Sequence, residues 1–172
     1  MAHTFIAVDF ETADHRRDSA CAIGLVIVSG IKIKDQMTQF IRPPRRKFCF
    51  SHVHGITWED VADKPTFGEL WFSLSPYFRD IRFAAAHGAH FDRSVLFACC
   101  SEARVEPPTI NFLNTVLVAR QVWNIYPTKL PDVCRKLGIP LKHHDPISDA
   151  RACAQIVIAA IRKGVPIDAF LS

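Results

Sequence analysis

Apolar runs open the chain. "TFIAVDFE" (residues 4–11) reads as a strand buried on both faces, and so does "CAIGLVIV" (residues 21–28). Residues 31–41 alternate Ile-Lys-Ile-Lys, as a strand with one wet face does. Ser29-Gly30 is a turn signal between the last two, so they are predicted to pair as a hairpin. A segment rich in Pro, Arg and His then reads as a loop to residue 57, where Thr57 can cap a short helix at "TWEDV". Helical patterning returns over 66–78 and 91–102, with strands predicted at 81–86 and 109–113. Residues 115–123 and 130–137 follow as helices, the second stopped by Gly138. The last helix has the clearest limits: Asp145 to cap it, Pro146 at its first position and Gly164 past its end. The order βββαβαβα predicts an α/β fold, a mixed five-stranded sheet flanked by helices, as one domain over residues 1–172.

The chain has 172 residues, enough for a full core, and 49% of them are hydrophobic. It contains no apolar run near the ~18 residues that span a bilayer, and no basic-then-apolar leader. No membrane partner and a cytoplasmic location are expected. Six cysteines occur, none spaced C-x-x-C, which fits buried thiols in a reducing compartment and not a disulfide framework. The net charge of +4 permits a polyanionic partner. The densest basic run, "RPPRRKF" (residues 42–48), reads as a solvated loop or as a surface for phosphates.

Four acids interrupt this apolar pattern. Asp9 and Glu11 stand two apart on the first strand, so both carboxylates point to one face. Asp149 shares the inward stripe of the last helix with Cys153, Ile156 and Ala160, and Asp92 shares one with Val95, Leu96 and Cys99. Each Asp alone can be a favourable charge in a helix's first turn. Together, the four carboxylates would repel one another and lose hydration unless divalent cations neutralised them. Oxygen ligands suit Mg²⁺ or Mn²⁺, and two such ions ~4 Å apart can clamp both oxygens of a phosphoryl transfer. The chain has no G-x-S-x-G, P-loop or G-x-G-x-x-G. His144 lies five positions before Asp149, in the loop leading to the helix, where a neutral imidazole can accept a proton from water. His143 reads as a surface histidine. The pairs His52/His54 and His87/His90 lack a complete zinc quartet.

Asp9-x-Glu11 in "VDFET", Asp92 in "AHGAHFD" and His144-x-x-x-x-Asp149 in "HHDPISDA" resemble the five-residue signature of the DEDDh 3′→5′ exonucleases, on a ribonuclease H-like fold. "HGIT" (residues 54–57) resembles that family's substrate loop. The likeness covers nearly the whole chain. It implies that Asp9, Glu11, Asp92 and Asp149 bind two Mg²⁺ (or Mn²⁺), with His144 as general base. Single-stranded nucleic acid, DNA in preference to RNA, would be hydrolysed from its 3′ end to nucleoside 5′-monophosphates. By the same resemblance, the backbone from Phe10 to Thr12, His54, Ile56 and Phe91 would meet the terminal nucleotide. For Ile56 and Phe91, core packing is the competing reading.

Two positions depart from the family: Gly88 stands where Asn is usual, and Pro146 where Ala is usual. Activity is expected despite them. Alternatives within the same likeness are a ribonuclease trimming RNA 3′ ends, or a nucleic-acid-binding module with weakened activity. The chain ends ten residues after Arg162, so a free-standing enzyme, monomer or homodimer, without a stable polymerase partner is expected.

Overall fold

The computed structural model describes residues 4–171. Its sheet has five strands: β1 Thr4–Thr12, β2 Ala20–Ser29, β3 Lys32–Phe40, β4 Phe83–Ala86 and β5 Asn111–Asn114, in the order β3-β2-β1-β4-β5. The meander β1–β2–β3 is antiparallel, while β4 and β5 add in parallel to the other side of β1. The predicted mixed sheet and the β2–β3 hairpin are therefore both present.

The helices are α1 Ser51–His54, α2 Trp58–Val61, α3 Phe67–Leu74, α4 Ala89–Glu102, α5 Thr115–Trp123, α6 Leu130–Leu137 and α7 Pro146–Arg162. Three differ from expectation. The segment before residue 57 is not all loop, because α1 forms there and ends on Gly55 at φ 79°. The helix predicted over 66–78 tightens to a 3₁₀ turn at Ser75–Phe78, where Pro76 has no N–H to continue the α ladder. α4 starts at Ala89 and not at 91, because Gly88 takes a left-handed conformation at φ 88° and releases the chain into the helix early. Among the described residues no helix is long and apolar enough to cross a membrane.

Side-chain alternation along β1 divides the core. Ile6, Val8 and Phe10 join α3 and α4 on one face, while Phe5 and Ala7 join α5, α6 and α7 on the other. Of the six cysteines, all are free and five are buried, as their apolar settings predicted.

Candidate active site

Asp9 and Glu11 continue the Phe5–Ala7 series, so they emerge on the face that α7 covers. Glu11 is buried and Asp9 is partly exposed. Asp149 lies in the first turn of α7 and Asp92 in the first turn of α4, each only 3% exposed. The Asp145 side chain caps α7 by accepting from the Ser148 N–H at 3.2 Å, and Pro146 holds the first helical position, as predicted. Asp92 is tied to β1: its Oδ1 accepts the Phe10 N–H at 3.0 Å.

Gly24 permits the approach of α7. It pairs with Asp9 across β1 and β2. A Cβ at this position would stand 2.1 Å from the Pro146 carbonyl oxygen and 2.7 Å from the Ile147 nitrogen. Any side chain there would push the first turn of α7, and Asp149 with it, off the sheet. A glycine within an apolar strand is a visible signal of close backbone approach, yet only the fold shows what approaches.

Burial raises every acid of the group, and for Asp9 and Glu11 the neighbouring carboxylates add to it. Asp9 is lifted well above its usual range by burial, then by Asp92, Asp149 and Glu11. Burial and Asp149 push Glu11 up to about 8. Burial pushes Asp92 up to about 7 against the opposing Phe10 hydrogen bond. Asp149 is raised by burial, against hydrogen bonds from His144 and His143. Asp9 thus feels the charges of Asp92, Asp149 and Glu11, and Glu11 those of Asp149 and Asp92.

Asp149 Oδ2 accepts the His144 backbone N–H at 3.1 Å and meets His143 Nδ1 at 2.8 Å. Its Oδ1 is buried and has no hydrogen-bond partner among the described residues. An orphaned carboxylate oxygen among other carboxylates is suited to a hard cation and not to another acceptor. The donor set therefore fits Mg²⁺ or Mn²⁺. His143 is thus not merely a surface histidine. It is exposed, but its ring is bonded to Asp149 and stacked on His144, with centroids 3.8 Å apart and planes 23° apart. His144 sits at φ 66°. Burial lowers its pKa, with His143 adding to the effect.

The expected nucleotide contacts divide. The Phe10 side chain is buried in the core and its N–H is taken by Asp92. The Thr12 carbonyl accepts from His54 Nε2 at 3.1 Å, while His54 Nδ1 accepts the Ile56 N–H at 3.1 Å, which fixes the tautomer. Ile56 is 7% exposed and packs with Ala13, Cys21, Ala22 and Val61, so core packing describes it better than an open bracket. Phe91 is half-buried, with the Arg17 guanidinium 4.4 Å over its ring. Arg17 had no sequence signal beyond its charge. A cleft of about 440 Å³ runs between "HGIT" and the loop before α7, lined by His52, His54, Lys142, His143 and His144 among others.

The basic run is not simply solvated. Arg45 binds Asp18 and Asp14, the latter at 3.2 Å, and so staples the β1–β2 loop. Arg42 is 3.8 Å from Glu69, and Arg46 lies over Trp58 at 5.2 Å. His87, set aside as an incomplete zinc ligand, joins β4 to the α5 side through Thr115 Oγ1 at 2.8 Å and the Thr128 carbonyl at 2.9 Å.

A family model described as an exonuclease, RNase_T, matches residues 6–157. A curated relative, the PolC-type DNA polymerase III of Thermotoga maritima, is 30% identical over 161 residues, covering 90% of this chain and 12% of the relative. The same polymerase from Thermotoga petrophila is 28% identical over 159 residues, with the same shares. The chain thus spans about an eighth of the length of the curated relatives it matches. Among solved structures, exonuclease X in complex with 5′ overhanging duplex DNA aligns at TM-score 0.77 and 22% identity, covering 96% of each chain. The nuclease domain of 3′hExo, a DEDDh family member bound to rAMP, aligns at TM-score 0.82 and 18% identity, over 96% of this chain and 95% of that one. Escherichia coli exonuclease I in complex with a dT13 oligonucleotide aligns at 0.77 and 14%, over 92% and 41%. These likenesses show the ribonuclease H-like exonuclease fold.

Proposed function

The chain belongs to the RNase_T exonuclease family, and from that premise we propose that it is a metal-dependent 3′→5′ exonuclease acting on single-stranded DNA to release nucleoside 5′-monophosphates. The observation that carries this reading is that Asp9, Glu11, Asp92 and Asp149 are all raised by burial, that Asp9 and Glu11 also feel the charges of the other acids, and that Asp149 Oδ1 is buried with no hydrogen-bond partner among the described residues. These four residues would hold two Mg²⁺ or Mn²⁺ ions. When bound, the ions supply positive charge against the charge that develops on the phosphate oxygens.

The chain's own groups do the rest. The Phe10 N–H fixes Asp92, and Gly24 lets α7 bring Asp149 beside Asp9. His144, whose pKa burial lowers, accepts the proton of the attacking water. His54, locked between Thr12 and Ile56, holds the "HGIT" segment against β1 beside the cleft that receives the 3′ end. Phe91 with Arg17 offers an apolar face and a positive charge to the terminal nucleotide. DNA as the substrate is supported by the likeness to the PolC-type DNA polymerase III, while the fold neighbours divide between DNA and rAMP. A cytoplasmic location is supported by the six free thiols.

The test uses single strands labelled at the 5′ end, of DNA and of RNA, with a free 3′ end or a 3′-phosphate, in Mg²⁺ or EDTA. Stepwise shortening of free DNA in Mg²⁺ alone is expected, with RNA slower and the blocked strand resistant. Cleavage of a circular strand as fast as a linear one would show an endonuclease and overturn the reading.

A further inference from the structure

The side-chain pairing around Asp149 has a second chemistry in it. His143, His144 and Asp149 each present a ligand atom, and these atoms lie within 4.8 Å of one another. Adjacent residues in an extended chain point to opposite sides. Here the positive φ of His144 turns the chain, so that the two imidazoles stack on one side with centroids 3.8 Å apart. A left-handed backbone at a residue other than glycine is an uncommon conformation that the surrounding structure has to hold in place. It brings two nitrogen donors to the carboxylate that already ends one of them: His143 Nδ1 is 2.8 Å from Asp149 Oδ2.

We propose that His143, His144 and Asp149 form a site for a borderline divalent ion, Zn²⁺ above all, which shares Asp149 with the all-oxygen cluster and is inhibitory when filled. Two imidazoles and one carboxylate are a three-ligand zinc set with a fourth position left for water. Ligand atoms of a tetrahedral zinc stand about 3.3 Å apart, so these atoms, within 4.8 Å of one another, would draw together by at most ~1.5 Å on binding. His143 is exposed, which gives the ion a path in. Mg²⁺ prefers oxygen donors and competes weakly here, whereas imidazole suits zinc. A filled site would occupy the His144 ring and draw Asp149 away from the other acids. That inhibitory consequence rests on the exonuclease reading; the binding site does not.

The experiment titrates Co²⁺, as a visible stand-in for Zn²⁺, into the metal-free protein in excess Mg²⁺. A d–d absorption band that saturates at one equivalent and is displaced by Zn²⁺ is expected. His143→Ala should weaken that band by about 10- to 100-fold in affinity, at least what loss of an outer-shell partner costs. Asp9→Asn, which damages only the oxygen cluster, should keep it. In parallel, Zn²⁺ should depress Mg²⁺-supported nuclease activity of the wild type. His143→Ala, measured against its own zinc-free rate, should resist. A band unchanged in His143→Ala, or lost in Asp9→Asn, would put the ion in the carboxylate cluster and overturn the proposal. Circular dichroism confirms that each variant is folded. Absence of nuclease activity in the wild type would sink the exonuclease reading while leaving the cobalt titration as a test of the site.

Discussion

Asp149 is held on one oxygen and unpartnered on the other. Its Oδ2 takes the His144 N–H and the His143 ring, and its buried Oδ1 takes nothing among the described residues. Asp149→Asn keeps an acceptor for the His144 N–H and removes a charge from a mutually repelling group. Activity in Mg²⁺ should therefore fall to near background, while the melting temperature of the metal-free protein stays level or rises. Full activity of this variant in excess EDTA would end the cation reading. His144 has a separate role. His144→Ala should lower kcat by ~10² to 10⁴ with little change in KM, the range for loss of a general base. His143→Ala should do much less in the absence of zinc, since that ring orients Asp149 and does not stand in for His144. Reversal of the two effects, read by single-turnover rates, would exchange their assignments. The inward placement of the four acids was legible in the sequence, because acids in apolar stripes contradict their surroundings, and His144 was placed by its position in the loop before the last helix. The His143 contact was not, because adjacent residues carry no signal of a turn that stacks them.

At the level of elements, the decisive packing is α7 against β2. The strands and long helices were legible, since periods of two and 3.6 survive in a short window. The helix α1 was not, because four residues in a Pro- and Arg-rich stretch show no period. The Arg45 ion pairs were not legible for a related reason: its carboxylate partners, Asp14 and Asp18, lie about thirty residues earlier in the chain, and only the fold brings them together. Gly24 belongs to this level. Its missing Cβ lets the Pro146 carbonyl sit on the sheet directly beside Asp9. Gly24→Ala should overpack this contact and cost about 1–3 kcal/mol of stability. The rate should fall further than stability explains, with a raised Mg²⁺ requirement, because Asp149 moves with the helix. Gly55→Ala offers a control: its Cβ meets nothing within 4 Å, although its φ of 79° carries strain. Denaturant melts and Mg²⁺ titrations of both variants separate strain from displacement. A Gly24→Ala enzyme with an unchanged Mg²⁺ midpoint would show that α7 has room to spare.

Across the whole molecule, the acids couple stability to pH and metal. Glu11 has a folded-state pKa of about 8 against an ordinary 4.5, and Asp92 about 7 against 3.8. A carboxyl raised on folding holds its proton in the native state where the unfolded chain has released it, so stability falls as pH rises through that interval. The contribution is fully present below the unfolded values and is lost by the folded ones, a window from about pH 4 to about pH 8. Asp14 and Asp18 act in the opposite sense, because Arg45 helps to hold both carboxyls below their usual range. The informative quantity is therefore a difference between variants, not the bare profile. The metal-free wild type should lose melting temperature between pH 5 and pH 8 more steeply than Glu11→Gln, whose amide cannot ionise. Saturating Mg²⁺ should flatten the wild-type slope toward that of the variant, because cations neutralise the same charges, and their affinity should rise with pH as protons leave. Scanning calorimetry at several pH values, with and without Mg²⁺, reads all of these slopes. Parallel slopes for wild type and Glu11→Gln without metal would mean that Glu11 is not held in the repelling cluster, and the site would lose one of its four metal ligands.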